Sequence, residues 1–293
     1  MTNEQVHITK EKETRKLVMK DDIMFKAFFS RAGNEKFLKS FLNAILGKEI
    51  KIKKVIHDAR LEQMAREEKY GILDLDVELE DGKIINIEMQ MKNNNNMEER
   101  TTFYAGKKIS EQLEIGYNYK QLKKVIIISI LNYNFINLPE YVTKTIRVAD
   151  KHREYEINNN VEYYYIELKK FREQNPDMKE PINQWLAFID MERGDLLEMA
   201  EKENKTIKEA NEYYEVLTGD AESKRLAEIR LMSALEEQSA LDTAKSEGYN
   251  AGIEQGAEQK KIEIAKKLLE KGMKIEEIEE ITGLSKETIK NLK

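Results

Sequence analysis

With 293 residues, 40% of them hydrophobic and 35% charged, the chain is long enough for one enzyme-sized core plus one or two smaller modules. It has no cysteine, which excludes a disulfide framework and a cysteine-based zinc site, and its three histidines (His7, His57, His152) lie too far apart in sequence to suggest a histidine cluster. The opening MTNEQVHITKEKETRK is polar and no run approaches the roughly 20 apolar residues of a membrane helix, so a cytoplasmic protein with no membrane partner is expected.

The net charge is −6, but it is unevenly placed. Residues 1–60 carry 14 basic and 8 acidic side chains, residues 61–99 carry 4 and 11, and residues 100–154 carry 10 and 5. An acidic island between two basic flanks suits a protein that holds a cation with carboxylates and neutralises phosphates around it. Segregation on this scale is also common on ordinary surfaces, so charge alone does not decide the matter.

Residues 1–20 read as a polar lead-in. From Asp22 to Leu46, apolar residues recur at helical spacing (Ile23, Phe25, Phe28, Phe29, Phe37, Leu38, Phe41, Leu42, Ile45). This predicts two helices broken near Arg31–Asn34, with Asp21 or Asp22 as N-cap. IKIKKVI (50–56) reads as a strand. In GILDLDVELE (71–80) and INIEMQM (85–91) apolar and polar residues alternate strictly, and Asp81–Gly82 between them is a turn signal, so a hairpin is expected. A helix follows over about 98–115, closed by Gly116. KVIIISIL (124–131) is a continuous apolar run, as in a strand buried on both faces. Segments near 140–148 and 154–168 extend the sheet, and from about 181 the chain is mostly helical, with Trp185 on a core face.

Hairpin register decides which acids meet. A two-residue turn would mix the polar and apolar faces. A three-residue loop Glu80–Asp81–Gly82, with Gly82 left-handed, sets Asp74 against Glu88; the loop Asp81–Gly82–Lys83 sets Asp76 there instead. Strand physics leaves both open. Either way Asp, Glu88 and Gln90 share one face. Two facing carboxylates repel unless a hard divalent cation binds them, and such an ion activates water and polarises a phosphoryl oxygen. Gln90 adds a neutral group that can orient water or phosphate. The alternative is a solvated acidic sheet face without function.

At these residues the chain resembles the recombination-promoting nuclease/transposase family of the PD-(D/E)XK superfamily. The resemblance runs through KDDIMFKAFF (20–29), FLNAILGKEI (41–50), ILDLDVELEDGKIINIEMQ (72–90), ERTTFYAGKKISEQLEIGYNYKQLKKVIIISIL (99–131) and VEYYYIELKKF (161–171). It implies an α/β fold with a restriction-endonuclease-like αβββαβ core, a mixed sheet flanked by helices, followed by a mostly helical C-terminal region. It implies a DNA endonuclease using Mg2+, or another divalent cation such as Mn2+, held by Asp74, Glu88 and the Met89 carbonyl. Thus the resemblance, not the register, favours Asp74 over Asp76. It also makes Asp22 an accessory acid. Gln90 stands where the wider superfamily usually has lysine; Lys26, Lys69 and Lys92 are candidates for that missing cation, Lys92 only if its strand runs so far. Arg100 either binds a phosphate or pairs with a site carboxylate. The implied setting is recombination, mobile-element biology or defence, with low sequence specificity. The competing reading is a catalytically degenerate nucleic-acid-binding or regulatory protein on the same fold.

The expected organisation is a lead-in (1–20), a nuclease core (21–175), a helical extension (176–219), a long helix (220–258) and a small helical module (259–293). Gly248, Gly252 and Gly256 recur every fourth residue of the long helix, which suggests another helix packing closely and hence a homo-oligomer. The last segment is similar to a helix-turn-helix, with Ser285 as N-cap. Its 9 basic and 7 acidic residues are nearly balanced, which favours a packing or oligomerisation module over a groove-binding one.

Overall fold

The computed structural model describes residues 17–56, 75–113, 118–157, 160–219 and 221–292. The chain forms two compact units, Met1–Arg230 and Leu231–Lys293.

In the first unit, the predicted helix pair is α1 (Asp22–Ser30) and α2 (Glu35–Leu46), broken where the periodicity breaks. Asp21 is the N-cap residue of α1, but its carboxylate accepts from the Val18 amide at 2.9 Å rather than capping the helix. β1 (Ile52–Ile56), β2 (Leu75–Leu79) and β3 (Ile84–Gln90) form an antiparallel meander. Helix α3 (Met97–Ser110) then carries the chain to β4 (Val125–Leu131), which lies parallel to β3. α3 ends at Ser110, short of the expected limit near 115; Gly116, expected to close it, lies outside the described residues. β5 (Val142–Thr145) and β8 (Val161–Glu167) complete a six-stranded mixed sheet in the order β1-β2-β3-β4-β8-β5. β6 (Val148–Ala149) and β7 (His152–Glu156) form a separate two-stranded ribbon.

Alternation sorts the sheet into two faces. Ile85, Ile87 and Met89 of β3 and Ile126, Ile128 and Ile130 of β4 face the main core, which includes Phe25, Phe28 and Phe29 of α1 and Phe41 of α2. It also takes in residues of α4 (Leu168–Glu173), α5 (Pro181–Asp190), α6 (Gly194–Glu203) and α7 (Lys205–Gly219). Trp185 is fully buried there beside Phe29 and Phe41, its indole N–H donating to Ser40 Oγ at 3.2 Å. The opposite face is roofed by α3, with Tyr104 and Ala105 packed on Val125 and Ile127, and Met97 grouped with Leu131 and Tyr165. Every residue of β4 is buried, as its apolar run predicts.

The β2–β3 turn settles the register. The Leu79 amide donates to the Lys83 carbonyl and the Gly82 amide to the Leu79 carbonyl, both at 2.9 Å. The loop is therefore Glu80–Asp81–Gly82, and Gly82 has φ +82°, a conformation that costs glycine little. Leu75 pairs with Ile87 and Asp76 with Asn86. The alternative register, with Asp76 opposite Glu88, is excluded.

In the second unit, helix α8 (Ala221–Glu270) contributes its portion from Leu231 onward and runs past residue 258 without a break. Its last turns pack on α9 (Ile275–Thr282) and α10 (Lys286–Lys290) through Ala265, Ile278, Leu284 and Ile289. Ser285 caps α10 as expected, its Oγ accepting from the Thr288 amide at 3.1 Å. A Cβ added at Gly248, Gly252 or Gly256 would meet nothing within 4 Å, so no neighbour among the described residues explains the glycine stripe.

Candidate active site beneath helix α3

The polar stripe of β3 is not a solvated surface. Asn86 and Glu88 are 0% and 1% exposed, because α3 covers the face on which they sit. Alternation puts Asn86, Glu88 and the half-buried Gln90 on this face, while β4 contributes Ser129 as the register partner of Glu88. Ser129 is fully buried too. It is the polar interruption in an otherwise apolar strand.

Helix α3 answers this stripe with cations at helical spacing. Arg100, Tyr104 and Lys108 are four residues apart and so share one face. Arg100 Nη2 lies 3.5 Å from Glu88 Oε2, the guanidinium sitting 5.5 Å from the centre of the Tyr104 ring. Lys108 Nζ donates to Asp76 Oδ2 at 2.6 Å, and Asn86 Nδ2 donates to Asp76 Oδ1 at 2.8 Å. Burial disfavours the Lys108 ammonium, but the hydrogen bond and charge of Asp76 outweigh it and hold its pKa above the usual lysine value. Tyr133, just beyond β4, borders the same group. Burial pushes its phenol up, Arg100 pulls it down, and Glu88 and Glu167 push it up again.

Asn86 Oδ1, Ser129 Oγ and Arg100 Nε are buried here with no hydrogen-bond partner among the described residues. Such groups cost free energy when left unsatisfied, so each marks a place for a water or a ligand. No group of three or more His, Cys, Asp or Glu converges among the described residues. Among the described residues, Glu88 and the neutral oxygens around it could hold a metal.

The expected residues divide as follows. Glu88 and Arg100 come together, Arg100 pairing with the carboxylate as one of its two expected roles required, and Gln90 lies two residues on along the same strand face. Asp76 belongs to the Asn86–Lys108 group rather than opposite Glu88. Lys92 does not share the face, because β3 stops at Gln90 and Lys92 is exposed. Asp22 opens α1, its carboxylate accepting from the Ile23 amide at 2.9 Å, and Lys26 is buried in the same helix, which packs on β3. Asp74 and Lys69 lie outside the described residues. Sequence reading missed Lys108, Asn86, Ser129 and Tyr133. The four-residue spacing on α3 and the lone serine in KVIIISIL were the signals available.

A network closes the end of the sheet where β3 and β4 finish. The Asn132 amide donates to the Gln90 carbonyl at 2.9 Å, and Arg172 Nη1 donates to Asn132 Oδ1 at 2.9 Å and to Asp190 Oδ1 at 2.5 Å. Burial raises the Asp190 carboxyl even though Arg172 and Lys20 oppose it. Lys20 also pairs with Glu192. The segment after β4 is clamped by buried Glu167, which accepts from the Phe135 and Ile136 amides, and by Lys170, which bonds Glu167 at 2.7 Å and the Ile136 carbonyl at 2.5 Å.

Two family models match the chain. Residues 19–244 match the PD-(D/E)XK nuclease family transposase model, and residues 258–293 match the C-terminal helix-turn-helix domain of the Rpn/YhgA-like nuclease family. No curated protein and no solved structure matches it. No helix among the described residues is long and apolar enough to cross a membrane. The first match spans the sheet, the α3 roof and the Glu88 stripe, and the chain belongs to the PD-(D/E)XK nuclease family transposases.

Proposed function

We propose that the protein is a metal-dependent DNA endonuclease that hydrolyses phosphodiester bonds with low sequence specificity. The observation that carries this reading is the sealed Glu88 carboxylate, held against Arg100 on a buried polar stripe of the central sheet. A lone carboxylate is costly to bury, and cationic partners offset that cost. Hard oxygens beside it suit Mg2+ or Mn2+. Asp74, the carboxylate that the family resemblance sets with Glu88, is our second metal ligand.

A divalent ion bound there supplies charge that polarises a phosphoryl oxygen and makes water a better nucleophile. Arg100, on the face of α3 that meets Glu88, would bind a phosphate oxygen. Gln90 at the strand end orients water or phosphate without adding charge. Asp22 and Lys26 on α1 are accessory positions. The match of residues 258–293 to a helix-turn-helix domain supports DNA binding by that segment, over the packing role its balanced charge favours, and a homo-oligomer would bring two active sites to one duplex. Recombination, mobile-element biology or defence is the setting that suits such an enzyme.

The test is incubation of supercoiled plasmid with the protein and Mg2+, beside Asp74→Asn and Glu88→Gln variants and an EDTA control. Nicked or linear product should vanish in both variants and in EDTA. DNA binding without cutting by the wild type would favour the degenerate binding protein instead.

A further inference from the structure

Ser129 is fully buried in the middle of β4, flanked along the strand by isoleucines, and its hydroxyl has no partner among the described residues. Alanine would fit a buried strand at no polar cost, whereas an unsatisfied buried hydroxyl costs about 1–3 kcal/mol. Its parallel register partner is Glu88. Adjacent strands lie about 4.8 Å apart, so the two side chains emerge side by side on the face beneath α3. Asn86 is the preceding residue on that face, roughly 7 Å along the same strand. Its amide nitrogen is committed to Asp76, which leaves Oδ1 open, and that oxygen is likewise buried and without a partner among the described residues. Two neutral oxygens therefore stand on the face that carries the Glu88 carboxylate, one on the neighbouring strand and one earlier on its own.

We propose that Ser129 Oγ and Asn86 Oδ1 hold the hydration shell of the divalent cation at Glu88, as positioning residues that fix where the ion sits and which water molecules it keeps. The inference rests on the metal-nuclease reading above. A hard cation takes six or more oxygens, and protein sites of this kind retain several as water. Those waters need acceptors and donors in a buried setting. Arg100 and Lys108 can only donate, whereas a serine hydroxyl both donates and accepts and the asparagine carbonyl accepts. A structural role would require the hydroxyl for folding; a ligand role makes it a burden until the cation arrives.

The experiment uses the full chain without DNA. Mn2+ binding is measured by calorimetry, and thermal melting is recorded with and without Mn2+, for wild type, Glu88→Gln, Ser129→Ala, Ser129→Cys and Asn86→Ala. Ser129→Ala should weaken Mn2+ binding by about tenfold or more, while its metal-free melting temperature equals or exceeds that of wild type. Ser129→Cys, which keeps the volume but hydrogen-bonds weakly, should follow it. Asn86→Ala should lose metal-free stability, because Asp76 loses a donor, and should also show a smaller Mn2+-induced shift. Unchanged Mn2+ affinity in Ser129→Ala, or a fall in metal-free stability without loss of affinity, overturns the proposal. Wild-type protein showing no Glu88-dependent Mn2+ binding would overturn the metal-nuclease reading itself and this inference with it.

Discussion

Glu88 on β3 and Arg100 on α3 are paired across the sheet–helix interface at 3.5 Å, the glutamate side chain sealed from solvent and the arginine side chain 23% exposed. The buried member depends on the pair more than the half-buried one does. Arg100→Met should lower metal-free stability by about 1–3 kcal/mol, the usual cost of removing one partner from a buried polar group. Mg2+ should recover more of that loss than it adds to wild type, since the ion replaces the missing positive charge. Melting curves with and without Mg2+ check this; equal Mg2+ shifts in the two proteins would mean that Arg100 is not the counter-charge a cation displaces.

Lys108 plays the corresponding role for Asp76. Lys108→Met leaves Asp76 with Asn86 as its remaining side-chain donor among the described residues and should cost about 1–2 kcal/mol in urea unfolding. The folded-state pKa of Lys108 is raised, so its contribution is complete below the ordinary lysine pKa and is lost as pH rises through the folded value. The gap between wild type and the variant should therefore narrow in alkaline solution. A gap that stays constant to high pH would show that the ion pair contributes nothing.

Glu167 and Lys170 hold the segment following β4 against the end of the sheet. Glu167→Gln keeps the shape but sets an amide against the Lys170 ammonium or the Phe135 and Ile136 amides. We expect a loss of about 2–4 kcal/mol, near the range for breaking a buried pair. Hydrogen exchange should quicken at Phe135 and Ile136 ahead of the rest of the sheet. Uniform exchange across the sheet would argue that the clamp is not local.

Tyr214 of α7 donates to the Leu17 carbonyl at 2.7 Å, tying down the chain just before α1. Burial, with the charges of Glu215 and Asp21, pushes its phenol up to about 12. An acid whose folded pKa is raised binds its proton more tightly in the folded state. Stability is thus lost as pH rises from about 10, where the unfolded phenol ionises, to about 12. Two units correspond to about 3 kcal/mol. The stability difference between wild type and Tyr214→Phe should fall by up to that amount across this window, measured by urea unfolding at each pH. An unchanged difference would place the phenol in a more solvated setting than the fold indicates.

Local chemistry wrote much of this fold into the chain. The break between α1 and α2, the alternation of β2 and β3, the buried run of β4 and the Ser285 cap follow from side-chain periodicity and turn residues, which act over a few neighbours. Glu88 and Gln90 were legible for the same reason, as residues two apart on one strand face. Sequence could not choose between two three-residue loops, because Gly82 and its neighbours permit both; the Leu79–Lys83 backbone bonds decide it. Nor could it reveal that the acidic face is roofed. Which helix covers a strand depends on packing between segments distant in sequence, and only that packing brings Lys108 to Asp76 and sets Ser129 beside Glu88. The strand's end at Gln90, which removes Lys92 from the face, is likewise a tertiary outcome. Sequence determined the polar stripe; the covering helix and the neighbouring strand turned it into a buried site, because burial is what makes its unpaired oxygens costly.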